Sequence, residues 1–363
     1  MQVPATDIPQ QYQQWKSEID AAIFSVLQEG VFIGGDKIKN FEQQLADYLH
    51  VRQVIGCANG TDALQLALMA LGLPKGSKII VPAFTYIAPV EVIKFLGYEA
   101  VFCDADPETF NCTAETIADV FTAGVKAILP VHLFGQCCDM KAITSFAEKN
   151  NCFVIEDNAQ SIAANKNLSG SKSIITTSFF PTKNLGAFGD GGAVFLNDEK
   201  LGRKVRTIAN HGQSGKKYIH DSIGINSRLD AIQAAILQIK LHHLDECIAK
   251  RQQAAAFYDH ALNGIEGIRI PQKKGDHTYY LYNIQTEAAH RDGLQKFLLG
   301  KNIPAVVYYP SPAYRQAAYL NDKISLPVTE QLCGKALSLP MHTALDEGTL
   351  SYICENIQAY FKQ

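Results

Sequence analysis

The sequence predicts an α/β fold, with a large α/β/α domain around a mostly parallel central sheet and a smaller C-terminal α+β domain. Short runs rich in Val and Ile recur before residue 200 without alternating polar positions, and helical patterns separate most of them. Strands that are apolar on both faces are buried on both faces, and helices between such strands are typical of parallel crossovers. The pattern changes again after residue 262, which indicates a second unit.

The elements of the large domain follow in order. Apolar residues at helical spacing predict one amphipathic helix over residues 8–28 and a second around Phe41 and Leu45. The predicted strands are 53–57, 78–81, 100–103, 127–131, 153–155, 173–178 and 192–196. The predicted helices between them are 61–71, 88–95 and 140–148. Because ligands of such sheets bind beyond the carboxyl ends of the strands, the turns after them are the candidate site.

The last third of the chain has a different pattern. Residues 228–262 are rich in Ala, Gln, Leu and Lys with few helix breakers, which predicts one long helix. Pro271 and the segment 273–275 mark a boundary. Beyond it we expect a strand at 279–285, a helix at 291–299, a strand at 305–308 and a terminal helix at 348–361. The sequence therefore predicts a large domain over 1–262 and a small domain over 263–363.

Composition excludes several classes of function. The 363 residues carry a formal net charge of −3 without a run of Lys and Arg, so no nucleic-acid partner is expected. No apolar stretch reaches membrane-spanning length, and the polar first residues lack a signal core, so no membrane association is expected. The nine cysteines include no CxxC pair, which argues against a metal site and for free thiols in the cytoplasm.

Two residues suggest chemistry at the carboxyl edge of the sheet. Asp157 follows the apolar run 153–155, where a carboxylate reaches the ligand crevice, although an Asp there often caps a helix instead. Lys183 ends the segment SFFPTK and precedes the glycine-rich run GAFGDGG at 186–192. A catalytic lysine needs restricted solvent, which an aromatic loop supplies. The alternative is a surface lysine in a hairpin turn, which the apolar residues before it make less favourable.

A phosphate site is also predicted. Residues 56–64, GCANGTDAL, run from a strand into a helix. The N–H groups of the first helical turn, with Gly60 and the hydroxyl of Thr61, form an anion site. The segment has neither the GxxxxGK[ST] spacing of a P-loop nor the GxGxxG spacing of a dinucleotide site, so a single phosphate fits best. Taken alone, a helix cap is the commoner explanation of this segment.

Seven segments combine into a wider pattern. They are ANGTDAL at 58–64, PAFTY at 82–86, EDNAQ at 156–160, SFFPTK at 178–183, GDGG at 189–192, GINSRLD at 224–230 and LSLPMH at 337–342. Together, and in this order, they resemble the DegT/StrS-type sugar aminotransferases, which are fold-type-I pyridoxal-phosphate enzymes. The resemblance extends from residue 34 to residue 342.

The resemblance implies pyridoxal 5'-phosphate as the cofactor and gives its neighbours their roles. Lys183 matches the lysine that forms a Schiff base with the cofactor and carries the proton during the reaction. Asp157 matches the carboxylate that keeps the ring nitrogen protonated, so that the ring withdraws electrons. Tyr86 is similar to the aromatic residue that stacks on the ring, with a core tyrosine as the alternative. Gln160 is similar to the residue near the ring hydroxyl.

The resemblance also implies a homodimer with shared active sites. Its phosphate ligands match Gly60, Thr61, the backbone of Asp62, Ser178 and, from the other subunit, Asn226. The region of Arg228 faces substrate in the family, although a helix cap or a pair with Asp230 explains this arginine nearly as well. Tyr308 and Tyr309 fall near the sugar site, but the family often has His there, and its His-Gly is replaced around 161–163.

The implied reaction is transamination. Related sugar dehydratases carry His at the position of Lys183, so this chain is expected to move an amino group, with glutamate as donor. Segments 135–137, 211–213 and 226–237 are most similar to enzymes that aminate C3 of UDP-2-acetamido-3-oxo-glucuronic acid, for lipopolysaccharide or O-antigen biosynthesis. C3 of another UDP- or dTDP-linked 3-oxo sugar and C4 of a 4-keto-6-deoxy sugar stay open. The rivals are another pyridoxal-phosphate reaction and a cofactor-binding protein without turnover.

Overall fold

A seven-stranded sheet forms the centre of the larger part of the molecule. The computed structural model describes residues 1–215 and 217–362. The strands are β1 (Gln53–Cys57), β2 (Lys78–Pro82), β3 (Glu99–Cys103), β4 (Val125–Ile128), β5 (Phe153–Asp157), β6 (Ile174–Ser178) and β7 (Gly192–Leu196). Their spatial order is β1-β7-β6-β5-β4-β2-β3. Strands β3, β2, β4, β5 and β6 are parallel, while β7 joins antiparallel between β6 and β1. The predicted α/β fold is confirmed.

Helices cover both faces of this sheet. Those of the larger part are α1 (Ile8–Gln14), α2 (Lys16–Glu29), α3 (Asp36–Leu49), α4 (Gly60–Leu71), α5 (Ala88–Phe95), α6 (Ala114–Ala118), α7 (Met140–Lys149), α8 (Glu199–Ala209), α9 (Ala231–His242) and α10 (Leu244–Leu262). Across the described ranges 1–215 and 217–362, no helix is long and apolar enough to cross a membrane.

Neighbouring residues of one strand pack into two different hydrophobic cores. Val194 packs with the buried residues of α4 and α8, whereas Phe195 packs with those of α3 and α9. Both side chains are fully buried. Because successive residues of a strand point to opposite faces, each apolar run of the sequence supplies both cores at once. This is why the runs show no polar alternation.

A smaller three-stranded sheet lies towards the C-terminus. Its elements are β8 (Ile268–Arg269), β9 (Tyr282–Thr286), α11 (Ala288–Gly300), α12 (Pro327–Lys335), β10 (Ala336–Leu339) and α13 (Glu347–Phe361). The order is β10-β9-β8, and all pairings are antiparallel. Helix α10 contributes Leu244 and Ile248 to a core of the large sheet, and Tyr258 and Leu262 to the core of the small one. The domain boundary at residue 262 stays a prediction.

Two predicted helices are interrupted, which corrects the expectation of single helices over 8–28 and 228–262. The first breaks at Trp15, between α1 and α2, and the second breaks at His243, between α9 and α10. The rings of Trp15 and His243 stack face to face, with centroids 4.6 Å apart. The two bends therefore meet in one tertiary contact, and packing overrides the local helical pattern.

The small sheet also differs from its prediction. No strand forms over 305–308; Val306 makes only an isolated bridge to Ser338, which belongs to β10. Strands β8 and β10 and helix α12 were not expected. Strand β10 consists of four buried residues directly after a helix, and such a short apolar run cannot be told from a helix end by periodicity.

Candidate active site

Three predicted segments converge at one edge of the large sheet because of the strand register. Gly192 of β7 pairs with Cys57 at the end of β1 and with Ser178 at the end of β6. Asp157 ends β5, the neighbour of β6. The start of α4, Ser178 and Asp157 therefore lie along the same edge, which is where α/β sheets bind ligands.

The start of α4 is packed closely enough to require glycine at two positions. A Cβ on Gly60 would lie 2.7 Å from the Cβ of Ser178, and a Cβ on Gly192 would lie 2.4 Å from the carbonyl oxygen of Asn59. Asn59 caps the helix by accepting the N–H of Asp62 at 2.8 Å. The Asp62 N–H is thus available to a phosphate only as a shared donor. The N–H groups of Gly60 and Thr61 have no carbonyl partner within the helix, which leaves them for an anion.

Asp157 is the buried carboxylate of the site. It is 7% exposed, and its Oδ1 accepts the N–H of Ala159 at 3.0 Å. Burial raises the pKa of Asp157, while the Ala159 N–H and the positive charge of Lys183 oppose the rise. A cation placed against Oδ2 would stabilise the ionised form. A protonated pyridine nitrogen is a cation of that kind.

Lys183 lies half-buried near this carboxylate, with its amino group over an aromatic ring. The Nζ atom is 4.3 Å from the ring centroid of Tyr280. The Tyr280 hydroxyl lies 3.3 Å from Thr182 Oγ1. Burial raises the pKa of Asp157, and the positive charge on Lys183 is one of the causes that limit this rise. The structure therefore brings together the lysine and carboxylate predicted from the sequence.

Gln160 and Tyr309 join the wall beside Asp157. Gln160 is buried, donates its amide to the Tyr309 hydroxyl at 2.9 Å and accepts the Phe134 N–H at 2.8 Å. Tyr309 packs edge to face on Phe84, and Tyr308 lies next to it. Burial raises the pKa of both tyrosines. Both phenols therefore act as neutral hydrogen-bonding groups around neutral pH.

The remaining predicted residues are more exposed to solvent. Tyr86 is 60% exposed and Asn226 is exposed, whereas Ser227 beside it is fully buried and accepts the Ala58 N–H. Asn226 therefore lies on the outer side of a segment that supports the start of α4. Arg228 donates to Asn210 Oδ1 at 3.3 Å, a partner that sequence reasoning did not consider.

Sequence reasoning missed a buried histidine beneath the site. His132 Nδ1 accepts the Cys138 N–H at 3.2 Å, so Nε2 carries the proton and donates to Glu156 Oε2 at 3.1 Å. The backbone N–H of His132 also donates to the carbonyl of Asp157. Its position directly after the predicted strand 127–131 was the available signal. The contact of Lys183 with Tyr280 had no sequence signal, because Tyr280 lies in a run that predicts only a strand.

The buried His277 makes the stability of the fold sensitive to acid. Its Nδ1 accepts the Tyr279 N–H at 2.9 Å, and burial, with the charge of Lys273, lowers its pKa to about 3. Below pH 6.5 the unfolded chain binds a proton at this residue, whereas the folded chain does not. The free energy of unfolding therefore decreases as the pH is lowered, by up to about 1.4 kcal/mol per pH unit. We expect urea midpoints at pH 7 and pH 5 to differ less in His277→Asn than in the wild type. Equal pH dependence in both proteins would contradict this.

Comparison with known proteins decides the family. Residues 13–358 match the model of the DegT/DnrJ/EryC1/StrS aminotransferase family. The chain belongs to this family. It is similar to the UDP-2-acetamido-2-deoxy-3-oxo-D-glucuronate aminotransferase of Pseudomonas aeruginosa, with 41% identity over 353 residues, 96% of this chain and 97% of the relative.

Two further relatives support membership of this aminotransferase family. The UDP-N-acetyl-3-dehydro-α-D-glucosamine 3-aminotransferase of Acidithiobacillus ferrooxidans is 38% identical over 362 residues, 98% of this chain and 97% of the relative. The crystal structure of DesV from S. venezuelae, in complex with a ketimine intermediate, superposes with a TM-score of 0.96 at 34% identity, covering 100% of this chain and 99% of that one. The chain is thus an aminotransferase, and its family uses pyridoxal phosphate.

The residues present fit this cofactor. The start of α4 offers N–H groups to its phosphate, and the buried Asp157 offers an anion to its ring nitrogen. Lys183 supplies the amino group, and the exposed ring of Tyr86 is free to stack. Negative phosphate and positive ring nitrogen would each meet a group of opposite polarity.

Proposed function

We propose that this aminotransferase moves an amino group from L-glutamate to C3 of a UDP- or dTDP-linked 3-oxo sugar, such as UDP-2-acetamido-3-oxo-glucuronate. The observation that carries the proposal is the placement of Lys183 close enough to the buried Asp157 to act on its charge, at the carboxyl edge of the sheet. The two relatives described above carry names of C3 aminotransferases of UDP-linked sugars, which supports the choice of carbon. The product would serve lipopolysaccharide or O-antigen synthesis in the cytoplasm.

In this proposal the residues act by position and charge. Bound pyridoxal phosphate supplies an aldehyde that links to amines and a ring that accepts electrons. Lys183 would hold it covalently and, once released, would carry a proton between the substrate carbon and the cofactor carbon. Asp157 would keep the proton on the ring nitrogen. Gly60, Thr61 and Ser178 would bind the phosphate, and Gln160, fixed by Phe134 and Tyr309, would orient the ring.

The sugar would lie against Tyr308, Tyr309 and Arg228. The two tyrosines are half-buried and offer neutral hydroxyls, and Arg228 is only partly exposed. Incubation with ¹⁵N-glutamate and a panel of nucleotide ketosugars, followed by product mass, tests the proposal. We expect the heavy amino group on a 3-oxo sugar. Product only from 4-keto-6-deoxy sugars would favour C4 amination, and product from none would refute a sugar substrate.

We further propose that the active enzyme is a homodimer. The turn after α2 exposes large apolar side chains, and the end of α2 adds more; they are Phe24, Leu27, Val31, Phe32 and Ile33, each 46–59% exposed. Exposed apolar side chains concentrated in one short segment of the chain favour a protein interface. Asn226 is exposed as well, which leaves its side chain free to reach the phosphate site of a second copy.

The dimer proposal gives a prediction for Asn226. We expect Asn226→Ala to weaken binding of the cofactor by about 10- to 100-fold, because one hydrogen bond to a charged phosphate is lost. Asn263→Ala, at an exposed asparagine directly after α10, is the matched control. Light scattering at assay concentration is expected to give the mass of two chains. Full activity of a dilute monomer would contradict the shared site.

A further inference from the structure

The amino group of Lys183 has one close aromatic partner. Its Nζ lies 4.3 Å from the ring centroid of Tyr280, and the Tyr280 hydroxyl reaches Thr182 Oγ1 in the same loop. A lysine ammonium over a tyrosine ring is attracted by the electron-rich face of the ring, most strongly at sites shielded from water. The ring and the hydroxyl of Tyr280 thus hold both the lysine and its loop.

The backbone at Tyr280 is fixed by contacts with Arg251 and Gly135. Arg251 is 4% exposed, and its Nη1 donates to the carbonyls of Tyr279 and Tyr280 at 3.3 Å and of Met341 at 2.9 Å. Gly135 lies against the same backbone: a Cβ there would be 2.8 Å from the N of Tyr280, and its φ is +112°. Only glycine suits such a position. The placement of Tyr280 therefore depends on two independent contacts.

From this geometry we infer that Tyr280 is a positioning residue that holds the amino group of Lys183 whenever this group is not bonded to the cofactor. The inference rests on the proposed role of Lys183. When neutral Nζ takes a proton from the substrate carbon it becomes an ammonium, and the Tyr280 ring stabilises that charge. The ammonium then gives the same proton to the cofactor carbon, so no proton is gained or lost.

The electrostatics of Tyr280 agree with this contact. Burial acts to raise its pKa, but the charge of Lys183, hydrogen bonds from Thr182 and Lys183, and the charge of Arg251 outweigh burial and lower the pKa below its usual value of 10. Lys183 thus acts on the hydroxyl of Tyr280 in addition to lying over its ring.

Kinetics of the glutamate half-reaction provide the first test. We expect Tyr280→Leu to slow it by about 5- to 30-fold and Tyr280→Phe, which keeps the ring, by less than about threefold. With glutamate deuterated at Cα, the isotope effect is expected to increase in Tyr280→Leu, since proton transfer becomes slower than the other steps. A merely structural defect would lower the amount of active enzyme and leave the isotope effect unchanged.

Tyrosine titration provides a second test that needs no activity. Wild-type and Lys183→Met proteins are loaded with pyridoxamine phosphate, which binds without a covalent bond, and ultraviolet titration is compared with that of the Tyr280→Phe counterparts to isolate this phenol among 15 tyrosines. We expect Lys183→Met to raise the pKa of Tyr280. Lys172→Met, which removes an exposed lysine paired with Glu148, is the control and should leave it unchanged.

The outcomes separate this inference from the proposed function. An unshifted Tyr280 titration in Lys183→Met, or a wild-type rate and isotope effect in Tyr280→Leu, would overturn the inference alone. A wild-type enzyme that fails to convert its cofactor with glutamate would overturn the proposed function. If Tyr280→Leu does not fold, the titration and the Tyr280→Phe kinetics still decide.

Discussion

Lys183→Ala is expected to reduce transamination by at least about 10⁴-fold, because both the covalent attachment of the cofactor and the proton carrier are lost. The variant should still bind the cofactor through the start of α4 and Asp157, but without the absorbance band of the lysine-bound form. Absorbance spectra before and after glutamate, together with the rate of product formation, measure both effects.

Lys172→Ala is the matched control for this variant, since Lys172 is an exposed lysine of the same large sheet region that pairs with Glu148. It should keep wild-type colour and rate. Retention of more than about one hundredth of the activity by Lys183→Ala would contradict the role assigned to this residue, because a general base alone contributes about 10²- to 10⁴-fold.

Asp157→Asn is expected to lower the rate of the half-reaction with glutamate by about 10²- to 10³-fold. The buried carboxylate stabilises a positive charge on the cofactor ring, and an amide of the same size does not. A cofactor analogue methylated at the ring nitrogen carries this charge permanently, so it should restore part of the lost rate in the variant. Single-turnover kinetics with each cofactor measure the effect.

The control for Asp157→Asn is Asp190→Asn, which removes an exposed carboxylate from the glycine-rich loop after Lys183. This variant should keep its rate within about twofold. The electrostatic account would be wrong if Asp157→Asn kept more than about a tenth of the wild-type rate, or if the methylated analogue gave no recovery.

Most of the large sheet was predictable because its strands carry an unambiguous pattern. Strands β1 and β7 have the bounds expected from the sequence, and the other strands shift by a few residues at their ends. The breaks at Trp15 and His243 were not predictable, since both come from a contact between residues far apart in the chain. The prediction of the small sheet was wrong for the same reason, because short apolar runs adopt the structure that their tertiary neighbours allow.

The site was predictable where a residue follows a strand and belongs to a recognisable segment. Asp157 and Lys183 meet both conditions, and the register of β1, β7 and β6 brings the phosphate segment to them. Tyr280 meets neither, because it reaches Lys183 only when its segment folds over the turn at Phe134 and Gly135. Long-range placement of this kind has no local sequence signal.

The measurement that tests the central claim most directly is borohydride reduction of the purified yellow enzyme, followed by digestion and peptide mass analysis. Reduction converts a lysine–cofactor bond into a stable amine. We predict that the mass of the reduced cofactor appears on the peptide that contains Lys183, and that glutamate added before reduction removes it. A label on another lysine, or no label on an enzyme saturated with the cofactor, would contradict the account.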